Sequence, residues 1–216
     1  MKLVLVRHAK PAISSRIFYG QMDVPLSEEG RVQAVLAGNL LNTFHFSRII
    51  SSDLSRCMET AAIICDTIRF EGDIEAAPGL REVDFGDWTG LTWEQIEEHY
   101  AGAFEKRLKN LPEFRPPNGE TLLEVSKRAW TVMSNAIQNA QGDVLIIGHG
   151  GVNRLLIAKA IGLPLQNIFN LGQDHCCVNI IECYEDGNMG LLALNLQAAQ
   201  RNSGKNLNMA WPISLV

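Results

Sequence analysis

Val144-Leu145-Ile146-Ile147 is an uninterrupted apolar run of strand length, and it empties into Gly148-His149-Gly150-Gly151. A run this short without polar alternation suits a strand covered on both faces, as strands are in parallel sheets between helical layers. Two other segments read the same way. Leu3–Val6 finishes in Arg7-His8, and Arg48–Ser51 continues through Ser52 into a helical pattern carrying Arg56. Helical spacing fills the intervals. From Ser27, read as an N-cap, Val32, Val35, Leu36 and Leu40 recur at helical intervals. Asp53 to Ile68 places Leu54, Cys57, Met58, Ala61, Ile64, Cys65 and Ile68 on one stripe. A third pattern runs from Glu120 to Ala140 through Leu123, Val132, Met133 and Ile137; a fourth, Val152 to Ile161, stops at Gly162 with Pro164 beyond.

Strand and helix therefore alternate, with short loops. Two late runs, Cys177–Tyr184 and Met189–Leu194, flank Glu185-Asp186-Gly187-Asn188 and read as a hairpin at one sheet edge. The expected fold is α/β and three-layered, a mostly parallel central sheet of about six strands with helices on both faces. Residues 1–216 read as a single domain. Thr92–Gly119 interrupts the alternation with an amphipathic stretch (Trp93, Ile96, Tyr100, Phe104) and a loop holding Pro112, Pro116 and Pro117. It reads as a helical excursion over the functional edge, or as a plain connector. Gln197 to Val216 has little periodicity and reads as a tail.

The chain has 216 residues, 46% of them apolar and 20% charged, with a formal net charge of −5. That apolar content excludes disorder as the main theme, and the acidic balance argues against nucleic acid as a general partner. No stretch approaches the roughly 18 apolar residues of a membrane span, and Leu3–Val6 is too short for a signal-peptide core. Cys57, Cys65, Cys176, Cys177 and Cys183 are odd in number and show no CxxC spacing. They read as buried thiols in a reducing cytoplasm. A homodimer through an exposed face is compatible with the sequence, and nothing in it decides the matter.

In parallel sheets ligands sit at the carboxyl ends of the strands. Those ends here carry Arg7, His8, Arg56 and His149, beside helix N-termini whose free N–H groups favour anions. Singly, each has an ordinary reading: a structural histidine, a solvated helix charge. Together, at equivalent topological points, they describe a phosphate-binding, histidine-based site. Neither HExxH, nor a carboxylate cluster, nor a P-loop occurs, so no metal and no cofactor is expected.

Four separated blocks, in order, carry a resemblance. They are LVRHA ending at Ala9, SSDLSRCMETA from Ser51 to Ala61, LREVDFGDWTG from Leu80 to Gly90, and GHGG from Gly148 to Gly151. By these blocks the chain resembles the histidine phosphatase, or phosphoglycerate mutase-like, superfamily. The resemblance implies a metal-independent phosphomonoester hydrolase. In it His8 is the nucleophile that becomes phosphohistidine, Arg7, Arg56 and His149 surround the phosphoryl oxygens, and Glu82 is the general acid. Outside its block, Glu82 would read as a surface carboxylate paired with Arg81. Asp84 and Asp87 match no catalytic role. The same resemblance assigns substrate contacts to Ser14, Gly20, Gln21 and Gly150.

Further blocks are most similar to the alpha-ribazole phosphatases: FYGQMDVPLSEEG from Phe18, DFGDWTGLTWEQI from Asp84 and PPNGETLLEV from Pro116. They imply alpha-ribazole 5′-phosphate as substrate, in cobalamin synthesis. Fructose-2,6-bisphosphatase-like, broad-specificity and mutase activities are alternatives, as is a non-catalytic phospholigand-binding protein on the same scaffold. The excursion is short and lacks the arginine-rich stretch of mutases, which favours transfer to water. Ala9-Lys10 departs from the family's glycine and acidic residue, and Ser14 replaces a frequent asparagine. Lys10 and Arg16 either meet a second anionic group or sit in a solvated loop. Tyr19, Trp88, Trp93 and Tyr100 either offer a flat surface to a heteroaromatic base or pack the core, the latter above all for Trp88. His175 reads as structural or as part of the rim; His45 and His99 read as solvent-facing.

Overall fold

A computed structural model describes residues 1–13 and 16–198. The expectation placed on Ser14, and that placed on all of the tail beyond Ala198, fall outside these residues. In chain order the elements are β1 (Lys2–Arg7), α1 (Glu28–Leu41), β2 (Phe46–Ser51), α2 (Ser55–Ile68), β3 (Ile74–Ala76), α3 (Trp93–His99), α4 (Ala103–Lys109), α5 (Leu122–Gln138), β4 (Asp143–Gly148), α6 (Gly150–Ala160), β5 (Val178–Cys183) and β6 (Met189–Leu196). One-turn 3-10 segments lie at Pro78–Leu80 and Gly86–Trp88, and a longer one at Leu165–Asn170.

The sheet runs β3-β2-β4-β1-β5-β6. β3, β2, β4 and β1 are mutually parallel, and β5 and β6 continue it antiparallel. β1 alternates in the way a doubly covered strand must. Leu3 and Leu5 face a core built with Val125, Ala129 and Met133 of α5 and Val152, Leu155 and Leu156 of α6. Val4 and Val6 face a core with Ala34, Ala37 and Leu41 of α1 and Cys57, Ala61 and Ile64 of α2. The three layers follow from this alternation. The late hairpin lies at the sheet edge as expected. All five cysteines are unpaired, and four of them are buried. Among the described residues no helix is long and apolar enough to cross a membrane.

One reading needs correction. Half of the stripe assigned to α1 faces outward: Val32 and Val35 are exposed, Leu36 is half-buried and Leu40 packs at the core's margin, while Gly30, Ala34, Ala37, Gly38 and Leu41 form the buried face. Small residues win because α1 must lie close to its neighbours. A Cβ on Gly38 would stand 2.6 Å from Thr67 of α2. β3, only three residues long, carries no periodicity by which the sequence could show it.

The excursion contains α3, capped by a reciprocal Thr92–Gln95 box, and α4. It is fastened to the chain leaving β1 by the Ile17–Thr92 bridge and by the Phe18 N–H donated to the Leu91 carbonyl at 2.9 Å. Beneath it Trp88, Ile96 and Ala103 form a small separate core with Phe18, Phe85, Tyr100 and Phe114.

The start of α1 is tied to the same segment. Ser27 donates its N–H and its hydroxyl to the Lys10 carbonyl, at 2.9 and 3.0 Å, and its oxygen accepts from the Gly30 N–H. A Cβ on Gly30 would lie 2.2 Å from that same carbonyl oxygen. Gly30→Ala is therefore expected to destabilise the fold by about 1–3 kcal/mol, the usual cost of forcing packed backbone apart. Urea unfolding checks this, and an unchanged midpoint would refute the packing account of α1.

Candidate active site

Parallel pairing puts the carboxyl ends of β1, β2, β3 and β4 on one edge. β5 runs the other way, so the segment entering it arrives at that edge too. Arg7 is in register with Gly148, the His8 N–H donates to the Gly148 carbonyl at 2.9 Å, and the Cys176 N–H donates to the His8 carbonyl at 3.2 Å. The site is thus stitched together by backbone before any side chain is placed.

His8 is almost wholly buried. Its Nδ1 lies 2.8 Å from the Ala9 carbonyl, which can only accept, so Nδ1 carries the hydrogen and Nε2 keeps its lone pair. Burial, with Arg7 and Arg56 close by, pushes its pKa well below the ordinary value. Its ring lies 5.1 Å from that of His149, 5.5 Å from His175 and 6.4 Å from Tyr19, centroid to centroid.

Arg7 donates from Nη1 to the Gln173 carbonyl at 2.6 Å and from Nη2 to Nε2 of His175 at 2.9 Å. Arg56, fully buried, donates to the carbonyls of Met22 and Gly20, both at 2.6 Å. Nη2 of Arg56 also reaches Nδ1 of His149 at 3.3 Å, and Nε2–H of His149 donates to the Ser52 hydroxyl at 2.9 Å. Neither guanidinium has a carboxylate partner among the described residues, and the buried Nε of each has no hydrogen-bond partner there. Carbonyls hold the forks in place without cancelling their charge. A half-buried and a fully buried guanidinium, neither ion-paired among the described residues, thus lie close to a neutral histidine.

Glu82 follows the 3-10 turn after β3. One carboxylate oxygen accepts from the Val83 N–H and the other from the Gly151 N–H at the start of α6, both at 3.0 Å. A Cβ on Gly151 would lie 2.5 Å from that carboxylate, and one on Gly150 would lie 3.3 Å from Nε of Arg7. The two glycines let α6 approach so closely. Arg81 does not pair with Glu82; it binds Asp53, which removes the surface-pair reading of Glu82. Gly20 and Gln21 act here through support: the Gly20 carbonyl holds Arg56, and Gln21 donates to the Glu82 carbonyl at 3.0 Å.

Some supports were not legible. Arg128 of α5 donates to the carbonyls of Gly79, Arg81 and Glu82 and pairs with Glu120, clasping the whole Glu82 segment. Gln173 and Asn179 bond each other in the interior, and Asn179 also donates to the Leu5 carbonyl. His175 binds a site arginine; only its place near a strand end signalled that. Lys10 is paired with Glu29 at 2.5 Å in the open, whereas Trp88 is core, as expected. His45 and His99 are exposed.

A family model, that of the histidine phosphatase superfamily (branch 1), matches residues 3–196. The chain belongs to the histidine phosphatase superfamily. It is 31% identical over 176 residues to a glucosyl-3-phosphoglycerate phosphatase of Mycolicibacterium vanbaalenii, covering 77% of this chain and 76% of the relative. It is 28% identical over 187 residues to a probable phosphoglycerate mutase, GpmB, of Salmonella arizonae, covering 86% of each. Among solved structures, a putative alpha-ribazole-5′-P phosphatase of Escherichia coli superposes with a TM-score of 0.83 at 26% identity, covering 93% of this chain and 98% of that one. As a histidine phosphatase the protein is a hydrolase, and its neighbours differ in the substrates for which they are named.

The histidines also set an expectation for stability. His149 is held neutral by burial and by the positive charges around it, and His175 is pushed down to about 4 by burial, Arg7 and Lys10, with Asp174 and Glu29 opposing. His8, His149 and His175 bind fewer protons folded than unfolded, so unfolding takes up protons below their ordinary value of 6.5. Stability rises with pH in that window and falls as pH drops from 6.5 toward about 4. Urea unfolding at about pH 7 and about pH 5 should show a clear loss at the lower pH. A flat profile would contradict the buried neutral histidines.

Proposed function

We propose that the protein hydrolyses phosphomonoesters through a phosphohistidine on His8. The observation that carries this is the Nε2 lone pair of a buried neutral histidine, close to two guanidiniums that have no ion-pair partner among the described residues. Nε2 attacks phosphorus, the N–P bond forms, and the bond to the alcohol oxygen breaks. Glu82, as general acid, gives a proton to the leaving alkoxide. It then accepts a proton from the water that attacks phosphorus, breaks the N–P bond and releases inorganic phosphate. Arg7 and Arg56 offer N–H groups to the non-bridging oxygens, where forked donors suit a planar pair of acceptors. His149 joins them as the incoming dianion offsets the positive field that keeps it neutral. Gly20, Gln21 and Gly150 shape the same wall.

For the alcohol part, alpha-ribazole 5′-phosphate is supported by the sequence blocks and by the Escherichia coli neighbour. A phosphoglycerate-type ester is the second reading. It is supported by the curated relatives and by the burial of Trp88 in the small core beneath the excursion. Of the four aromatic side chains proposed to receive a base, Tyr19 lies beside His8, and Trp93 is exposed on α3.

The deciding experiment is a rapid quench with radiolabelled substrate. A base-stable, acid-labile phosphoenzyme is expected in the native protein and none in His8→Ala; its absence in both would end this reading. Glu82→Gln is expected to slow an alkyl phosphate by about 10²-fold or more while sparing p-nitrophenyl phosphate, whose leaving group departs unaided. Equal losses on both would take the acid role from Glu82.

A further inference from the structure

Arg128 of α5 uses every donor it has. A guanidinium carries five N–H groups in a planar fork. Here Nε donates to Oε1 of Glu120 at 2.9 Å, and Nη2 donates to Oε2 of the same carboxylate at 2.8 Å. Nη1 serves the carbonyls of Gly79 and Arg81, at 2.8 and 2.6 Å, while Nη2 also reaches that of Glu82 at 3.0 Å. Arg7 and Arg56 each keep a buried Nε without a partner among the described residues. Arg128 is the opposite case, and its main-chain acceptors all lie within residues 79–82, the stretch that delivers the acid.

Glu120 extends the hold to the far side of Glu82. Its Oε2 accepts from the Asp84 N–H at 3.0 Å, and its own N–H donates to the Asp84 carbonyl at 2.9 Å. The main chain of Glu82 is therefore bracketed: Arg128 grips it at and before that residue, and Glu120 grips it beyond. Gln21 adds a second donor to the Glu82 carbonyl, at 3.0 Å. Local structure offers no substitute, since residues 81–85 form neither helix nor strand. The clasp itself is anchored in a helix. Glu120 stands just before Thr121, the N-cap of α5, and Arg128 lies within α5. The two-pronged pairing of guanidinium and carboxylate keeps the clasp in one plane.

The Glu82 carboxylate has the N–H groups of Val83 and Gly151 as its hydrogen-bond donors, and these leave its reach to be set by the main chain behind it. A general acid works only within hydrogen-bond distance of the oxygen it protonates. A misplacement of about 1 Å can cost about 10²-fold in rate. Each unrestrained residue of a loop has two soft dihedrals, enough to move a carboxylate that far.

We propose that Arg128 and Glu120 are positioning residues for the Glu82 acid, and that through it they set how strongly the rate depends on the leaving group. The proposal rests on the hydrolase reading above, with Glu82 as its acid. The pair acts on the main chain of Glu82, so its removal is felt most by esters whose alcohol cannot depart without a proton.

The test compares kcat/KM, which reports the step that expels the alcohol, for glycerol 3-phosphate and p-nitrophenyl phosphate with the full chain. Arg128→Met keeps the apolar stem and is expected to lose about tenfold more on the alkyl ester than on the aryl ester. Arg128→Lys keeps the charge without the fork and should fall between native and Arg128→Met. Glu120→Gln, nearly the same shape, should move the ratio in the same direction. In a Glu82→Gln background Arg128→Met should leave the ratio where Glu82→Gln has put it, because residues acting through one another are not additive. Equal losses on both esters in Arg128→Met overturn the proposal, and so does a full further shift of the ratio in the double variant. Urea unfolding reports whether Arg128→Met folds; if it does not, an unmoved ratio in Glu120→Gln overturns the proposal and a moved one upholds it. The readings fail separately. p-Nitrophenyl phosphate turnover that survives in His8→Ala ends the hydrolase reading, and an unmoved ratio in Glu82→Gln ends the acid role. A ratio that moves in Glu82→Gln but in neither Arg128→Met nor Glu120→Gln overturns the positioning alone.

Discussion

Two guanidiniums anchored by backbone carbonyls, with no ion-pair partner among the described residues, set the terms for the rest of this structure. A buried charge without an ion-pair partner is costly, and the protein accepts that cost in full at Arg56 and in part at half-buried Arg7. The carbonyls of Gln173, Met22 and Gly20 fix their direction while leaving their field intact. A carboxylate in the same place would stabilise the resting protein and fill the hole. The surrounding groups conform to this constraint: His8 and His149 are neutral, and the Ser52 hydroxyl and Cys57 thiol beside His149 are neutral as well.

The sheet makes such an arrangement affordable by supplying it from rigid elements. β4 lies between β1 and β2, so Arg7 and His8 leave one strand beside the place where His149 leaves the next. The antiparallel turn into β5 then returns Gln173 and His175 to the same edge, and Arg7 is gripped from there. Glu82 reaches the edge from a third direction, on a segment with little structure of its own. That segment is held by Arg128 from α5 and by the first turn of α6. A nucleophile on a strand end and a carboxylate on a clasped loop have different freedoms, and Arg128 is what makes the second comparable to the first.

What the sequence showed and what it hid follow from the range of the forces involved. Arg7, His8 and His149 were legible because each stands at the end of an apolar run, and Arg56 because it opens the helix that follows one; strand ends converge in any parallel sheet. β1, β2 and β4 were legible because burial on both faces leaves a continuous apolar signature. The inward face of α1 was misread because Ala34, Ala37 and Gly38 are small, and closeness of packing outweighed hydrophobicity in choosing the buried side. Arg128 looks like any polar residue of an amphipathic helix; only the tertiary fold brings it to the carbonyls of Gly79, Arg81 and Glu82. His175 and Gln173 act across more than 160 residues of chain on Arg7, a relation no local pattern encodes.

The positive field also bears on how binding and stability are related in this protein. Charges left unpaired in the folded chain raise its free energy, and a bound dianion lowers it by meeting several of them at once. Ligand affinity and fold stability therefore draw on the same interaction, and occupancy adds to stability by mass action. The field is not spread evenly. It is concentrated at the strand ends, where Ala9 and the glycines of α6 leave backbone and guanidinium in contact, while Lys10, one residue further out, is already paired with Glu29. The boundary between Lys10, which has an ion-pair partner, and Arg7 and Arg56, which have none among the described residues, thus falls at the strand ends themselves.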